Sequence, residues 1–130
     1  MSWTVEMSED HVVAPDGSEV RPLAETTRGS MAHCTLPPGG VSLAVRHRTV
    51  EEVWFFISGA GEVWRKHGDR EEVVAARPGT SIAIPTGAHF QFRTVGDAPL
   101  VFLLTTMPPW PGHEEAERVV DFWPTDASAE

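Results

Sequence analysis

Between Gly39 and Gly61 the chain reads GGVSLAVRHRTVEEVWFFISGAG, with apolar positions alternating on either side of a charged cluster. Side chains point to opposite faces of a strand with period two. Leu43, Val45 and His47 therefore share one face of a first strand, and Glu52, Trp54 and Phe56 share one face of a second. The intervening polar residues predict a short turn, so the two strands form a hairpin with His47 and Glu52 together on its inner face.

The same rhythm continues on both sides. Glu19 to Leu23 predicts a short strand interrupted by Pro22, Ala24 to Gly29 a loop, and Met31 to Leu36 a weakly alternating strand stopped by Pro37-Pro38-Gly39-Gly40. Beyond the hairpin, Gly61 to Arg65, Glu71 to Ala76, Ser81 to Ile84, the HFQFR run within Gly87 to Thr94, and Leu100 to Thr106 each read as strands closed by Gly or Pro. Many short strands at close spacing, with no repeat of solenoid length, predict an all-β fold, a single-domain antiparallel β-barrel or sandwich. Residues 1–18 form an N-terminal arm, loose or an edge strand, with a turn at Pro15-Asp16-Gly17; residues 19–106 form the barrel; residues 107–130 form a short C-terminal extension. In that extension Met107 to Gly112 breaks the sheet, His113 to Val120 predicts about two turns of helix, and the tail from Thr125 is expected to be disordered.

Composition narrows the chemistry. One domain of 130 residues can bury a core without staples. No apolar run is long enough for a bilayer, and the acidic N-terminus is unlike a signal peptide, so a soluble cytoplasmic protein with no membrane partner is expected. A formal net charge of −9 repels phosphates and argues against a nucleic-acid partner. Cys34 is the only cysteine, which excludes an internal disulfide or a multi-cysteine zinc site, and it reads as an inert packed thiol. Without tyrosine, and with Lys66 alone in a polar turn, acid–base work falls to His, Asp, Glu or Arg.

The Gly39 to Gly59 stretch resembles the first motif of the cupin superfamily, in which a glycine is followed by two histidines, a glutamate and a closing glycine. Gly39, His47, Glu52 and Gly59 match it, while Val45 stands at the first histidine position. Gly79, Pro85 and Gly87 match the glycines and proline of the family's second motif, whose histidine falls on Phe90 and whose asparagine falls on Thr94. The likeness covers roughly Gly39 to Thr94, and the strand rhythm extends it from about Val20 to Thr106. It implies a jelly-roll barrel (a double-stranded β-helix), a small-molecule ligand, and a possible homodimer, because such barrels commonly pair by strand exchange or sheet packing.

The resemblance also implies a degenerate metal site. Cupin ions are held by three histidines and a glutamate, and only His47 and Glu52 remain. Two protein ligands rarely hold a divalent ion against water, so no cofactor is expected, with a divalent metal as the alternative. Three functions follow. The first is a metal-independent acid–base enzyme of isomerase, dehydratase or cyclase type acting on a small polar metabolite, with His47 as base or acid and Glu52 as its orienter. The second is a non-catalytic ligand-binding cupin. The third is a metal-dependent oxygenase or isomerase using His47, Glu52 and His89, which requires a β-bulge to turn His89 inward. The residues leave open whether anything is turned over, and each has a structural alternative, His47 as a core histidine and Glu52 as a strand-end ion pair. Trp54, Phe56, Phe90 and Phe92 line one wall in the regular frame; if a bulge intervenes, His89, Gln91 and Arg93 face the cavity in place of Phe90 and Phe92. Trp110 is either a lid over the barrel mouth or a structural stop.

Overall fold

The computed structural model describes residues 2–125. Among these described residues, eleven strands form two antiparallel sheets. The six-stranded sheet has the order β1 (Val12–Val13), β2 (Glu19–Glu25), β3 (Ser30–Leu36), β10 (Leu100–Met107), β5 (Glu51–Ser58), β8 (Ser81–Ile84). The five-stranded sheet has the order β11 (Ala116–Arg118), β4 (Val45–His47), β9 (His89–Val95), β6 (Ala60–His67), β7 (Arg70–Ala76). The all-β jelly-roll expectation holds, as two facing sheets rather than a closed barrel. No helix among the described residues is long and apolar enough to cross a membrane.

The inner faces meet in an aromatic core. Trp54 and Phe56 on β5 and Phe102 on β10 face Phe90 and Phe92 on β9, all at most 2% exposed. Trp54 stacks on Phe102 at 4.5 Å between ring centroids, and Phe92 meets both edge-on at 5.2 and 5.4 Å. Edge-to-face pairs of this kind add about 0.5–1.5 kcal/mol each beyond area burial. The alternation read for β5 is observed in full: Glu52, Trp54 and Phe56 are buried, while Glu51, Val53, Phe55 and Ile57 are exposed.

Three expectations are corrected. The β4 and β5 strands are not a hairpin: β4 pairs with β9 and β11, whereas β5 pairs with β10 and β8. The Arg48–Val50 link crosses between sheets, so His47 and Glu52 face each other across the sandwich. Second, β2 runs through Pro22 and reaches Glu25 instead of breaking. Pro22 is tolerated because β1 pairs only with Val20 and Glu19, leaving Pro22 on a sheet edge beside a register shift. Third, His113 to Val120 is not helical. A 3₁₀ turn at His113–Glu115 leads into β11, which adds to β4 in register Ala116↔His47.

Polar anchors inside the second sheet explain that last difference. The Glu115 carboxylate, 5% exposed, accepts hydrogen bonds from the Thr49 hydroxyl, from Val50 N–H at 2.8 Å, and from Thr49 N–H. Further on, Gln91 Oε1 accepts from Phe122 and Trp123 N–H, each at 2.8 Å, and its Nε2 donates to Trp123 and Ser42 carbonyls. Phe122 stacks on Trp64 at 5.2 Å, and the Arg93 guanidinium lies over the Trp123 ring. The extension is thus strapped to the outer face of the five-stranded sheet. The tail expected to be disordered lies, beyond Thr125, outside the described residues.

Gly59 closes the turn between β5 and β6 with φ of +79°, and a Cβ there would sit 2.1 Å from the Pro99 carbonyl oxygen. Gly68, in the β6–β7 turn, also has positive φ, at +63°, but faces open space. Gly59→Ala is expected to cost about 2–4 kcal/mol through backbone clash plus strain, and Gly68→Ala only about 1 kcal/mol from strain. Urea unfolding of the two variants measures the difference, and equal costs would contradict the packing described.

Candidate functional site

A cavity of about 500 Å³ opens between β1, β2, β3 and the ends of β4, β5 and β10. Its polar end brings together His47 from β4, Glu52 from β5, Thr106 from β10, and Asp16 from the turn before β2; the remaining wall is chiefly apolar.

Each group is held by its neighbours. Glu52, 4% exposed, accepts a hydrogen bond at Oε1 from Trp54 Nε1 at 3.0 Å and one at Oε2 from the Thr106 hydroxyl at 2.6 Å. Trp54 lies two residues along the same strand, so alternation alone puts both on the inner face. His47 is 5% exposed, and its ring meets Phe90 and Trp110 edge-on at 5.1 and 5.3 Å. Its Nδ1 is 4.0 Å from Glu52 Oε1 and has no hydrogen-bond partner among the described residues. Asp16 Oδ1 accepts from Ser18 N–H at 3.0 Å and the Ser18 hydroxyl at 2.6 Å.

Burial sets the proton affinities. Loss of solvation pushes Glu52 up to about 7, against the pull of the Thr106 and Trp54 hydrogen bonds. Loss of solvation lowers His47, partly offset by the Asp16 and Glu115 carboxylates. Asp16 is likewise raised by burial, despite its bonds from Ser18. Burial and the two carboxylates Asp16 and Glu52 push the Cys34 thiol well up, which keeps it protonated and un-nucleophilic. Near neutral pH the pocket therefore holds a neutral imidazole beside a carboxyl poised between its two forms. The Thr106 hydroxyl suits both, donating to the carboxylate or accepting from the acid.

Of the residues read from the sequence, His47, Glu52, Trp54 and Trp110 line this cavity. Trp110 combines the two readings: its N–H donates to the Ser30 hydroxyl, and its ring packs on His47 at the rim. Phe56, Phe90 and Phe92 are core side chains outside the cavity lining. His89 and Gln91 face away from it. The pairing of β9 with β6 runs without a shift from Ala60↔Val95 to Lys66↔His89, so no bulge re-aims them. His89 lies on the outer face, where burial and the Arg46 and Lys66 charges lower its proton affinity, and Gln91 anchors the C-terminal strap. The role of Glu52 as orienter of His47 is also corrected, since 4.0 Å is too long for a hydrogen bond. Sequence reasoning missed Asp16 and Thr106. Thr106 follows the inward parity of Phe102, a usable signal, whereas Asp16 lay in a turn motif that looks purely structural.

The donors present do not fit a metal ion. Val45 and Phe90 occupy the two replaced positions and pair with each other across β4 and β9, both at most 2% exposed. Both Glu52 oxygens already accept hydrogen bonds, and among the described residues no group of three or more His, Cys, Asp or Glu is arranged to hold an ion. With His89 outside, the metal-dependent alternative loses its third ligand.

Two facing antiparallel sheets around a cavity with a buried His–Glu pair define a jelly-roll small-ligand fold. Residues 32–106 match the cupin domain family model, and the chain belongs to that family. An uncharacterized protein of Methanocaldococcus jannaschii is 28% identical over 110 residues, covering 81% of this chain and 84% of that one. A Klebsiella pneumoniae protein with a double-stranded β-helix domain superposes with a TM-score of 0.66 at 16% identity, covering 92% of each chain. Bacillus subtilis oxalate decarboxylase superposes with a TM-score of 0.71 at 18% identity; the match covers 85% of this chain and 30% of that enzyme. At these identities the structural matches show the fold.

Glu52 binds protons more tightly when folded than when unfolded, where its affinity is that of an ordinary carboxyl near 4.5. Its contribution to stability is present at low pH and declines as pH rises from about 4.5 to about 7, by at most about 3 kcal/mol. Glu52→Gln keeps an acceptor for Trp54 and removes the titration. The variant is expected to gain on the wild type steadily over that range, as measured by urea unfolding at successive pH values. His47 and Asp16 titrate in both proteins, so the difference isolates Glu52; a flat difference contradicts the shift.

Proposed function

We propose that this cupin domain binds a small metabolite in the cavity and moves a proton on it with His47 and Glu52, as an isomerase, dehydratase or cyclase. The observation that carries this reading is His47 Nδ1, buried, without a hydrogen-bond partner among the described residues, and beside a carboxyl with a proton affinity near neutrality. A buried polar atom without a partner costs roughly 1–3 kcal/mol, which a ligand bonded to Nδ1 recovers. The neutral imidazole accepts a proton from the ligand, and the Glu52 carboxylic acid delivers one at a second position. The two groups return to their starting forms by exchange with water, so the net change lies within the ligand. A neutral imidazole beside a carboxyl that still carries a proton near neutrality is the arrangement that suits a base and an acid sharing one site. Trp54 and Thr106 hold the carboxyl in place, and the apolar walls exclude water.

A non-catalytic binder is the second reading, supported by the predominance of apolar surface in the cavity. Incubation of the wild type, His47→Gln and Glu52→Gln with metabolite extracts in D₂O separates the two, with mass spectrometry reading consumption and deuterium uptake. The proposed function predicts a consumed and labelled compound, with its rate about 100-fold or more lower in His47→Gln. Turnover unchanged in that variant rejects the role of His47. Recovery of retained but unlabelled, unconsumed compounds supports the binder.

A further inference from the structure

The charge lining the cavity goes beyond the acid–base pair. Asp16, Glu25 and Glu52 all line it, whereas no Lys or Arg does among the described residues. Its basic groups are the imidazoles of His47 and His113 alone, and His47 is held towards its neutral form by burial. Asp16 sits at the same end as the pair, since its charge acts on His47, Glu52 and Cys34 alike. Ser18, itself 1% exposed, fixes the Asp16 carboxyl through Oδ1. Much of the remaining lining is hydrocarbon, with Val20, Leu23 and Leu104 among its residues, and the Trp110 ring packs edge-on against His47.

A ligand anion entering this space meets carboxyls with no fixed cation to offset them. An ammonium group meets partners on several sides, and the net charge of −9 draws cations towards the cleft. We propose that the cavity takes an organic amine with a hydrocarbon body, its ammonium N–H groups donated to Asp16, Glu52 and His47 Nδ1. The body packs against Val20, Leu23 and Leu104. This names a ligand class for the site proposed above and rests on that site being the functional one.

Protonation follows from the geometry. The groups facing Glu52 are His47 of β4, Asp16 of the turn before β2, Cys34 of β3, Trp54 of β5, Thr106 of β10 and Glu115 of the 3₁₀ turn. A bound ammonium favours the charged carboxylates, so binding releases protons and strengthens as pH rises through about 7, while proton transfer draws on the bound fraction in which Glu52 keeps its proton. Aliphatic amines remain cationic across this range, by analogy with lysine at about 10.4.

Calorimetric titration of the full chain with cyclohexylmethylamine, cyclohexylmethanol and cyclohexanecarboxylate tests the class with one hydrocarbon body and three head groups. The expected ranking places the amine about tenfold or more tighter than either competitor. Asp16→Asn retains an oxygen for Ser18 and is expected to cut amine affinity about tenfold while leaving the alcohol within about twofold. The wild-type ranking carries the test should that variant fail to fold. Carboxylate binding as tight as the amine, an amine that fails to saturate at millimolar concentration, or an unchanged preference in folded Asp16→Asn each overturns the proposal. Binding is read without turnover, so a lost amine preference leaves the acid–base reading standing. Absent turnover with the preference intact does the reverse.

Discussion

Glu52 is a carboxyl group enclosed by an aromatic core, and two hydrogen bonds decide where it points. Trp54 Nε1 holds one oxygen from the same strand, and the Thr106 hydroxyl holds the other from the neighbouring strand. The register Thr106↔Glu52 between β10 and β5 brings the second donor opposite, so the sheet itself builds the clamp. A slip of one residue would send Glu52 outward and Phe55 inward, losing both the core and the site. The geometry of the cavity and the stability of the fold are therefore linked through one strand register.

Burial then does the electrostatic work. The apolar surroundings raise the carboxyl and lower the imidazole, which draws their proton affinities together and leaves neither group charged at high cost. A buried, fully ionised His–Glu pair would need closer contact and more hydrogen bonds than 4.0 Å allows. Val45 and Phe90 extend the hydrophobic core to the edge of the cavity and strengthen the desolvation felt by His47.

The terminal segments complete the site from opposite sides. Residues before β2 supply Asp16 and part of the cavity wall. The C-terminal extension adds β11 beside β4 and brings Glu115 under the Thr49–Val50 backbone, fixing the link that leads from His47 to Glu52. Gln91, read as a conditional ligand residue, proves to be the anchor for this strap. An amide carries both donors and acceptors, so it can bind two backbone stretches at once in a position where a phenylalanine could not.

Strand positions, turns and the inward parity of Val45-His47 and Glu52-Trp54-Phe56 were legible because alternation and Gly/Pro stops are local properties of the chain, whereas Leu43, read on the same inward face, lies before β4 and is only half-buried. The family likeness rested on glycines and a proline at fixed spacing, which constrain backbone shape and survive changes in side chains. Four things were not legible. Whether β4 and β5 form one hairpin or face each other from two sheets depends on which strands they choose as partners, and β9 and β10 lie dozens of residues away. His89 and Gln91 depended on a bulge that only the β6–β9 register could exclude. Asp16 entered the site through chain folding far from the motif, and His113 to Val120 gave up a helical pattern because an open strand edge at β4 and the Glu115 bonds favour extension. Periodicity along the chain thus decides which side chains face inward, whereas long-range pairing, with its backbone hydrogen bonds and buried charges, decides which inward-facing groups meet.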